Sequence, residues 1–440
     1  MRKMKILTLL LCASLAFAYM GCSNSSGGSD NSSSSNTSSS GSGSGADTGS
    51  GAGSGSTPIT YTITIANGIT NGTVTANPAS AIAGSTVTLS IISEIGYKLN
   101  SISATTGETA VTLSGTGNTR TFTMPAGNVS VNAVFISVFT ALAAGTNGTA
   151  GTSGTYVYFG EWPQTQLTGS VTVDDSNSKI VGMFIYYKGS DNAWYAKVSS
   201  NYFKVEPIKW RVLNPAATGS EKKMLLAENI LINCAYYDFY NVNRTIGNAS
   251  VYPNNYEHSR VRAFLNGLGY QKKESDSAVQ EENNEFRGKG FLQTAFTAEE
   301  IAAIADTGVV NNARSTNPDG DSNANLWNNG DNTYASATPT EDKLFLLSEQ
   351  EVTKSSYDFS SSYSSGTLYT NIRVPTDYAK ANYVDLGSVS SQNRGNWWLR
   401  SPFYDNSGYV HHVRNTGDVF STSILVNLES IGVVPALCLN

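Results

Sequence analysis

"NWWLRSPFYDNSGYVHHVRNTGDVFSTSILVNLESIGVVPALCLN", residues 396–440, closes the chain, and its reading decides how the rest is organised. Trp397-Trp398-Leu399-Arg400-Ser401-Pro402 at its head and Gly432-Val433-Val434-Pro435-Ala436-Leu437 at its tail are apolar enough to be core. Phe403 to Leu428 between them is crowded with Tyr, Asn, Ser, Asp and His. Such side chains stack and hydrogen-bond at low entropic cost, as antibody paratopes do. The segment is therefore expected to display a ligand-binding surface of Tyr404, Asp405, Asn406, Tyr409, His411, Arg414 and Asn415, with Asp418 at its edge. "VRNTGDV" (413–419) reads as a hairpin with Asn415 and Gly417 in the turn, which sets 409–414 beside 419–424. Residues 409, 411 and 413 then share one face, and 410, 412 and 414 the other. Trp210, Trp397 and Trp398 read as core or partly core, and alternation of Trp397 and Trp398 across a strand leaves one of that pair the option of reaching the surface.

A length of 440 residues allows two or three domains. Only 14% of the residues are charged and 41 are glycine, which favours β structure over helix bundles. The net charge is -6 and no basic cluster occurs, so nucleic acid is not an expected partner.

The first residues read as an export leader. Arg2, Lys3 and Lys5 form a basic start, and Ile6 to Ala18 form an apolar run too short to span a bilayer comfortably. Two processing sites compete. Ala16-Phe17-Ala18 suits ordinary signal peptidase, whereas Gly21-Cys22 ahead of Ser23-Asn24-Ser25-Ser26 resembles the lipobox of bacterial lipoproteins. Ser23 to Thr57 is nearly all Ser, Gly, Asn and Thr, too polar to offset the entropy of ordering. A coil of that kind spans roughly 30 Å, which is useful when one end is fixed to a membrane. The lipoprotein reading is preferred for that reason: a leader over 1–21, Cys22 lipidated, and a tether over 22–57. Two acyl chains or more would anchor it stably, facing the exterior from the outer membrane.

Residues 58–136 alternate apolar and polar in short runs: Tyr61-Ile63-Ile65, Val87-Leu89-Ile91, Phe122-Met124 and Val129-Val131-Phe135. Gly68, Asn71-Gly72, Gly84, Gly96 and Gly107 punctuate them. Gly96-Tyr97 and "TFTMPAGNVSVNAVF" resemble the divergent repeat related to the B-repeat of internalins. That resemblance implies a spacer or stalk without chemistry of its own. Residues 137–154, rich in Ala, Gly and Thr, read as a linker.

Residues 155–440 read as a larger α+β domain, giving a multidomain, β-rich chain. "EPIKWRVLN" (206–214), "KKMLLAENILI" (222–232) and "KLFLLS" (343–348) are short apolar strands. "HSRVRAFLNGLGY" (258–270) sets Val261, Phe264, Leu265 and Leu268 at helical spacing. Thr297 with Glu300 forms a capping box, Ser348 with Glu351 another, and 376–382 gives a further short helix. Gly160, Glu206 to Leu213, Leu344 to Ser348, Trp397 to Pro402 and Gly432 to Leu437 are, in order, the marks of an uncharacterised bacterial domain family. The chain resembles that family over about Tyr156 to Asn440, in the manner of spirochaete lipoproteins. The tryptophan-rich ending followed by polar hairpins is also similar to C-type-lectin-like domains of bacterial surface proteins. That second resemblance implies ligand recognition near the C-terminus.

Catalytic patterns are sparse. Paired carboxylates for glycoside hydrolysis are not marked by context, no Gly-x-Ser-x-Gly elbow occurs, and Cys234 reads as packing. His411 and His412 point opposite ways on a strand and do not share a metal. Asp319 to Asn325 places oxygen side chains at alternate positions, but position twelve of a calcium loop would be Gly330, so it reads as a polar loop. Arg211 and Arg400 are expected to be half-buried and paired with carboxylates. Cys234 and Cys438 read as buried thiols, with a disulfide as the alternative. No catalytic residue, metal or cofactor is assigned. The expectation is an adhesin-like protein that binds a host or neighbour-cell glycan or protein, with a saccharide-acting envelope enzyme or a purely structural protein as alternatives.

Overall fold

Period-two alternation builds the N-terminal module. In Val129–Ser137 every second side chain is buried, and Thr86–Ser93 follows the same rule. One sheet runs Ser80–Ile82, Thr60–Ile65, Val129–Ser137, Tyr97–Thr106, Thr109–Val111; a second sets Thr86–Ser93 between Gly72–Asn77 and Thr119–Thr123. Their inner faces share one core of Ile63, Val87, Leu89, Ile91, Phe122, Met124, Val131 and Phe135. The strands read from the sequence all lie in it.

The computed structural model describes residues 58–143, 145–146, 148, 154–215, 222–310, 339–359, 370–386, 393–403, 406–419 and 424–440. Cys22, the leader and tether, the 319–330 loop, Tyr404 and Asp405 lie outside these residues. Part of the expected linker belongs to the larger domain: Val138 enters its core, and Thr140–Ala141 pairs with the Tyr156–Gln166 strand.

That domain is β-rich with short helices, built on a nine-stranded sheet. Its main path runs Val173–Val181, Phe184–Gly189, Trp194–Val198, Asn201–Val212, Lys223–Ala227, Ala436–Leu439, Leu344–Phe345. The last strand of the chain is thus an interior strand, antiparallel to both neighbours, with Leu225 opposite Leu437 on one side and Leu344 opposite Leu437 on the other. A five-stranded sheet of Ile232–Asn233, Gly432–Val433, Trp397–Pro402, Tyr409–Val413 and Ile424–Leu425 adds to the same core. The helix Arg260–Asn266 starts at Ser259, whose hydroxyl accepts from the Arg262 N–H, and ends at Gly267 with φ of +67°. It buries Val261, Phe264 and Leu265 as the spacing predicts. Leu268 falls beyond the cap and is exposed. The two capping boxes are present at Thr297 and Ser348, and the further short helix expected over 376–382 is Asp377–Ala381.

Both tryptophans of the Trp397–Trp398 pair are fully buried, in keeping with their reading as core, and neither takes the option of reaching the surface. The reason is that the strand is covered on both faces. Trp397 Nε1 donates to the Asn371 carbonyl at 3.1 Å, and Trp398 Nε1 donates to the Cys234 carbonyl at 2.8 Å. Cys234 and Cys438 are buried free thiols. Replacing Trp398 with Phe opens a cavity and orphans the Cys234 carbonyl. It is expected to cost about 2–4 kcal/mol, measured by urea unfolding at constant m-value.

Candidate functional site

The Asn396–Asn440 segment does not present the expected face. Val410, His411, His412 and Val413 are all buried, because Tyr409–Val413 lies between two strands of its sheet and is packed on both sides. The His411 ring lies against Phe403, with centroids 5.6 Å apart, and its Nδ1 is 3.3 Å from Glu349 Oε2. Asn415 is an internal clasp: its N–H donates to Asn396 Oδ1 at 2.8 Å and its Nδ2 to the Leu386 carbonyl at 2.8 Å. Asp418 is buried and accepts from the Thr416 hydroxyl. The expected hairpin turn is present, with Gly417 at φ of +89° and its N–H donated to the Arg414 carbonyl at 2.8 Å.

Three of the assigned residues, His411, Asn415 and Asp418, therefore serve the interior, which corrects their expected display. Tyr409 and Arg414 are half-buried, and Asn406 is exposed. The loop bearing Asn406 is held from below by Asn254, whose Nδ2 reaches the carbonyls of Phe403, Asn406 and Tyr409 at 3.1–3.4 Å. No outward patch unites the assigned residues that are described.

An open hollow lies elsewhere on the same domain. Ile232, Asn233, Cys234 and Ala235 form one wall, and Phe264, Phe286 and Met183 the others, around about 200 Å³. It continues past Met183, Arg260 and Phe286 into a shallower space of about 530 Å³, bordered by Ile180, Gly182, Glu285 and Lys289. Arg260, the first residue of its helix, stands where the two meet. Its guanidinium is 3.3 Å from Asp238, 3.1 Å from Glu285 and 3.6 Å from Glu429. Asp238 also accepts from the Tyr270 hydroxyl at 2.8 Å. Phe286 packs on Phe264 edge-on at 5.4 Å and on Tyr270 at 6.4 Å, so the aromatic wall is fixed.

The charges set what this groove can do. Burial alone would lower the Arg260 value, but the surrounding anionic groups, Asp238 and Glu285 among them, more than offset it, and the guanidinium stays charged. Burial pushes the Cys234 thiol up to about 12, so it lines the wall as a neutral group and not as a nucleophile. Three carboxylates face one arginine and Lys289, leaving an acidic rim over an apolar floor. Such a site accepts hydrogen bonds from hydroxyl or ammonium groups while covering an apolar face. Another hollow of about 240 Å³, between the N-terminal module and the Ala298–Ala303 helix, has only Glu94 and Glu299 as charged lining groups. It offers no comparable set of opposed charges.

Sequence reasoning missed this groove. Asp238, Arg260, Glu285 and Glu429 are separated by up to 191 positions, and no spacing rule joins them. The one local sign was the helical spacing in 258–270, within which the helix Arg260–Asn266 forms.

Residues 220–440 match the family model of DUF6273, described as a domain of unknown function. The chain belongs to this family. Within the DUF6273 span lie Cys234, Asp238, Arg260, Phe264, Phe286 and Glu429, whereas Met183 precedes it. The marks at Gly160 and Glu206 to Leu213 also precede the matched span. Residues 61–139 match the Divergent InlB B-repeat domain. No curated protein and no solved structure matches the chain.

His412 gives the DUF6273 domain an acid sensitivity. Burial first, then His411 and Arg414, hold its value down from 6.5 to about 3. The unfolded chain therefore binds this proton first as pH falls. The neutral imidazole's contribution is intact above pH 6.5 and is lost progressively down to about 3. Urea midpoints between pH 7.5 and 5 should fall. Below pH 6, His412→Phe is expected to remove up to about 1.4 kcal/mol per pH unit of that slope.

Proposed function

We propose that this chain is an exported bacterial lipoprotein, anchored through Cys22 and displayed outside the cell. On this reading its B-repeat-like module is a spacer and its DUF6273 head binds a glycan or protein non-covalently at the Arg260 groove. The observation that carries the reading is Arg260 held among Asp238, Glu285 and Glu429 at the mouth of an apolar-walled hollow. A guanidinium already fixed by three partners loses little freedom when a ligand arrives. The floor of Phe264, Phe286 and Ile232 suits the apolar face of a sugar ring or an aliphatic side chain. The rim carboxylates suit hydroxyl or ammonium groups on the same ligand. Membership in the spirochaete lipoproteins and a C-type-lectin-like head are the finer parts of the proposal. They rest on the Gly21-Cys22 lipobox, the Ser/Gly-rich tether, and the tryptophan-rich ending followed by polar hairpins.

The groove reading separates from the hairpin reading by mutation. A ligand found on glycan and matrix-protein arrays should lose about tenfold or more in affinity on Arg260→Ala or Phe286→Ala. Tyr409→Ala and Asn406→Ala should leave it within about twofold. Loss on the second pair alone would return the site to the hairpin, and turnover of a polysaccharide would replace binding with catalysis. For the anchor, Cys22→Ala is expected to move the protein from the detergent phase to the aqueous phase in Triton X-114 partitioning. Recovery of a mature wild-type chain beginning at Tyr19 would remove the lipid from the proposal.

A further inference from the structure

Away from the groove, polar groups are buried together where the strands Asn201–Val212, Asn229–Ile230 and Val374–Pro375 approach one another. Arg211, Arg373 and Asn371 are exposed by 2%, 1% and 0%. Arg211 gives Nη2 to Asp358, and Arg373 gives Nη1 to the carbonyls of Thr370 and Ile372, both at 2.8 Å. Their remaining groups are not satisfied: Arg211 Nη1, Arg373 Nε and Nη2, and both amide atoms of Asn371 have no hydrogen-bond partner among the described residues. Trp397 ties two of the three together. Its Nε1 donates to the Asn371 carbonyl, and its ring lies 5.8 Å from the Arg373 guanidinium. Burial pulls Arg373 below its ordinary value, Glu228 draws it back up, and Arg211 pushes it further down, as expected of near neighbours.

Buried donors of this kind are normally paired, and orphaned ones are costly. The imbalance here has a sign. Glu228 is the buried carboxylate that acts on Arg373, and Arg211 has as its partner Asp358, whose side chain is mostly in solvent. A surplus of guanidinium N–H groups is left over. A guanidinium fork matches the paired oxygens of an oxyanion. Asn371 adds a further condition, because its amide has a donor end and an acceptor end, and the ligand must therefore both accept and donate. A phosphate keeps an O–H near neutral pH; sulfate and carboxylates do not.

We propose that Arg211, Arg373 and Asn371 form a buried binding site for inorganic phosphate. The site is independent of the Arg260 groove, and it would act by completing the interior, raising stability when filled.

The full chain is purified from phosphate buffer, desalted into chloride and denatured, and the released phosphate is counted. One equivalent per chain is expected. Melting in phosphate should exceed melting in sulfate or chloride of equal ionic strength by roughly 4 °C. Arg373→Met should release none, but it risks misfolding. Asn371→Asp is the milder change, since it keeps the side chain's shape and sets a carboxylate two residues from Arg373. This variant should melt in chloride at or above the wild type, release no phosphate and show no phosphate-specific shift. No released phosphate together with equal melting in all three salts would assign the donors to ordered water and overturn the site. Equal stabilisation by sulfate, or a phosphate response kept by Asn371→Asp, would overturn it as well.

Discussion

The larger domain depends on giving every buried indole N–H among its described residues an acceptor. Trp162, Trp210, Trp397 and Trp398 are all fully buried, and each donates to a main-chain carbonyl: Leu231 at 3.0 Å, Phe159 at 2.7 Å, Asn371 at 3.1 Å and Cys234 at 2.8 Å. Indole is a donor only, so each ring has one way to be satisfied. Each bond also joins segments distant in sequence, up to 164 residues for Trp398. The rings fill volume that no loop could fill, and their N–H groups fix the register of what surrounds them. The interior placement of Ala436–Leu439 follows the same logic, because the chain's end completes the sheet begun by Lys223–Ala227.

The fold was legible wherever periodicity and caps acted locally. Alternation located Thr86–Ser93 and Val129–Ser137, and the reciprocal bonds of Thr297 with Glu300 and of Ser348 with Glu351 appear where the sequence spacing put them. The apolar run around Arg400 predicts a paired, half-buried arginine. It is almost wholly buried, bonded to Glu351 at 2.5 and 3.2 Å and to the Leu346 carbonyl. The candidate site was not legible. Polarity forecasts exposure only when a strand has one free face, and Tyr409–Val413 has none. Asn254, Asn396 and Asn415 act as internal connectors between loops and strands, a role that looks the same in sequence as a surface amide.

A polar segment built into the interior changes what its composition means. His411 beside Glu349, and Asn415 beside Asn396, satisfy buried groups and so specify one arrangement of the hairpin. Substituting them would disturb the frame before it disturbed any contact with a ligand. Their tyrosine and amide neighbours resemble a paratope in composition but differ in geometry.

The groove owes its character to the opposite arrangement. Arg260 opens a helix whose buried face is fixed by Val261, Phe264 and Leu265, so its own position is set by packing it does not share with solvent. Asp238, Glu285 and Glu429 reach it from three separate segments and limit its rotamers. Removing the cation would leave carboxylates facing one another over an apolar floor, and their repulsion would open the mouth of the groove. Arg260 therefore holds the rim together as well as offering charge to a ligand. Glu429 is the weakest of its three partners, being 3.6 Å away and largely in solvent, and so is the one that a bound hydroxyl or ammonium group can draw away from the arginine at least cost.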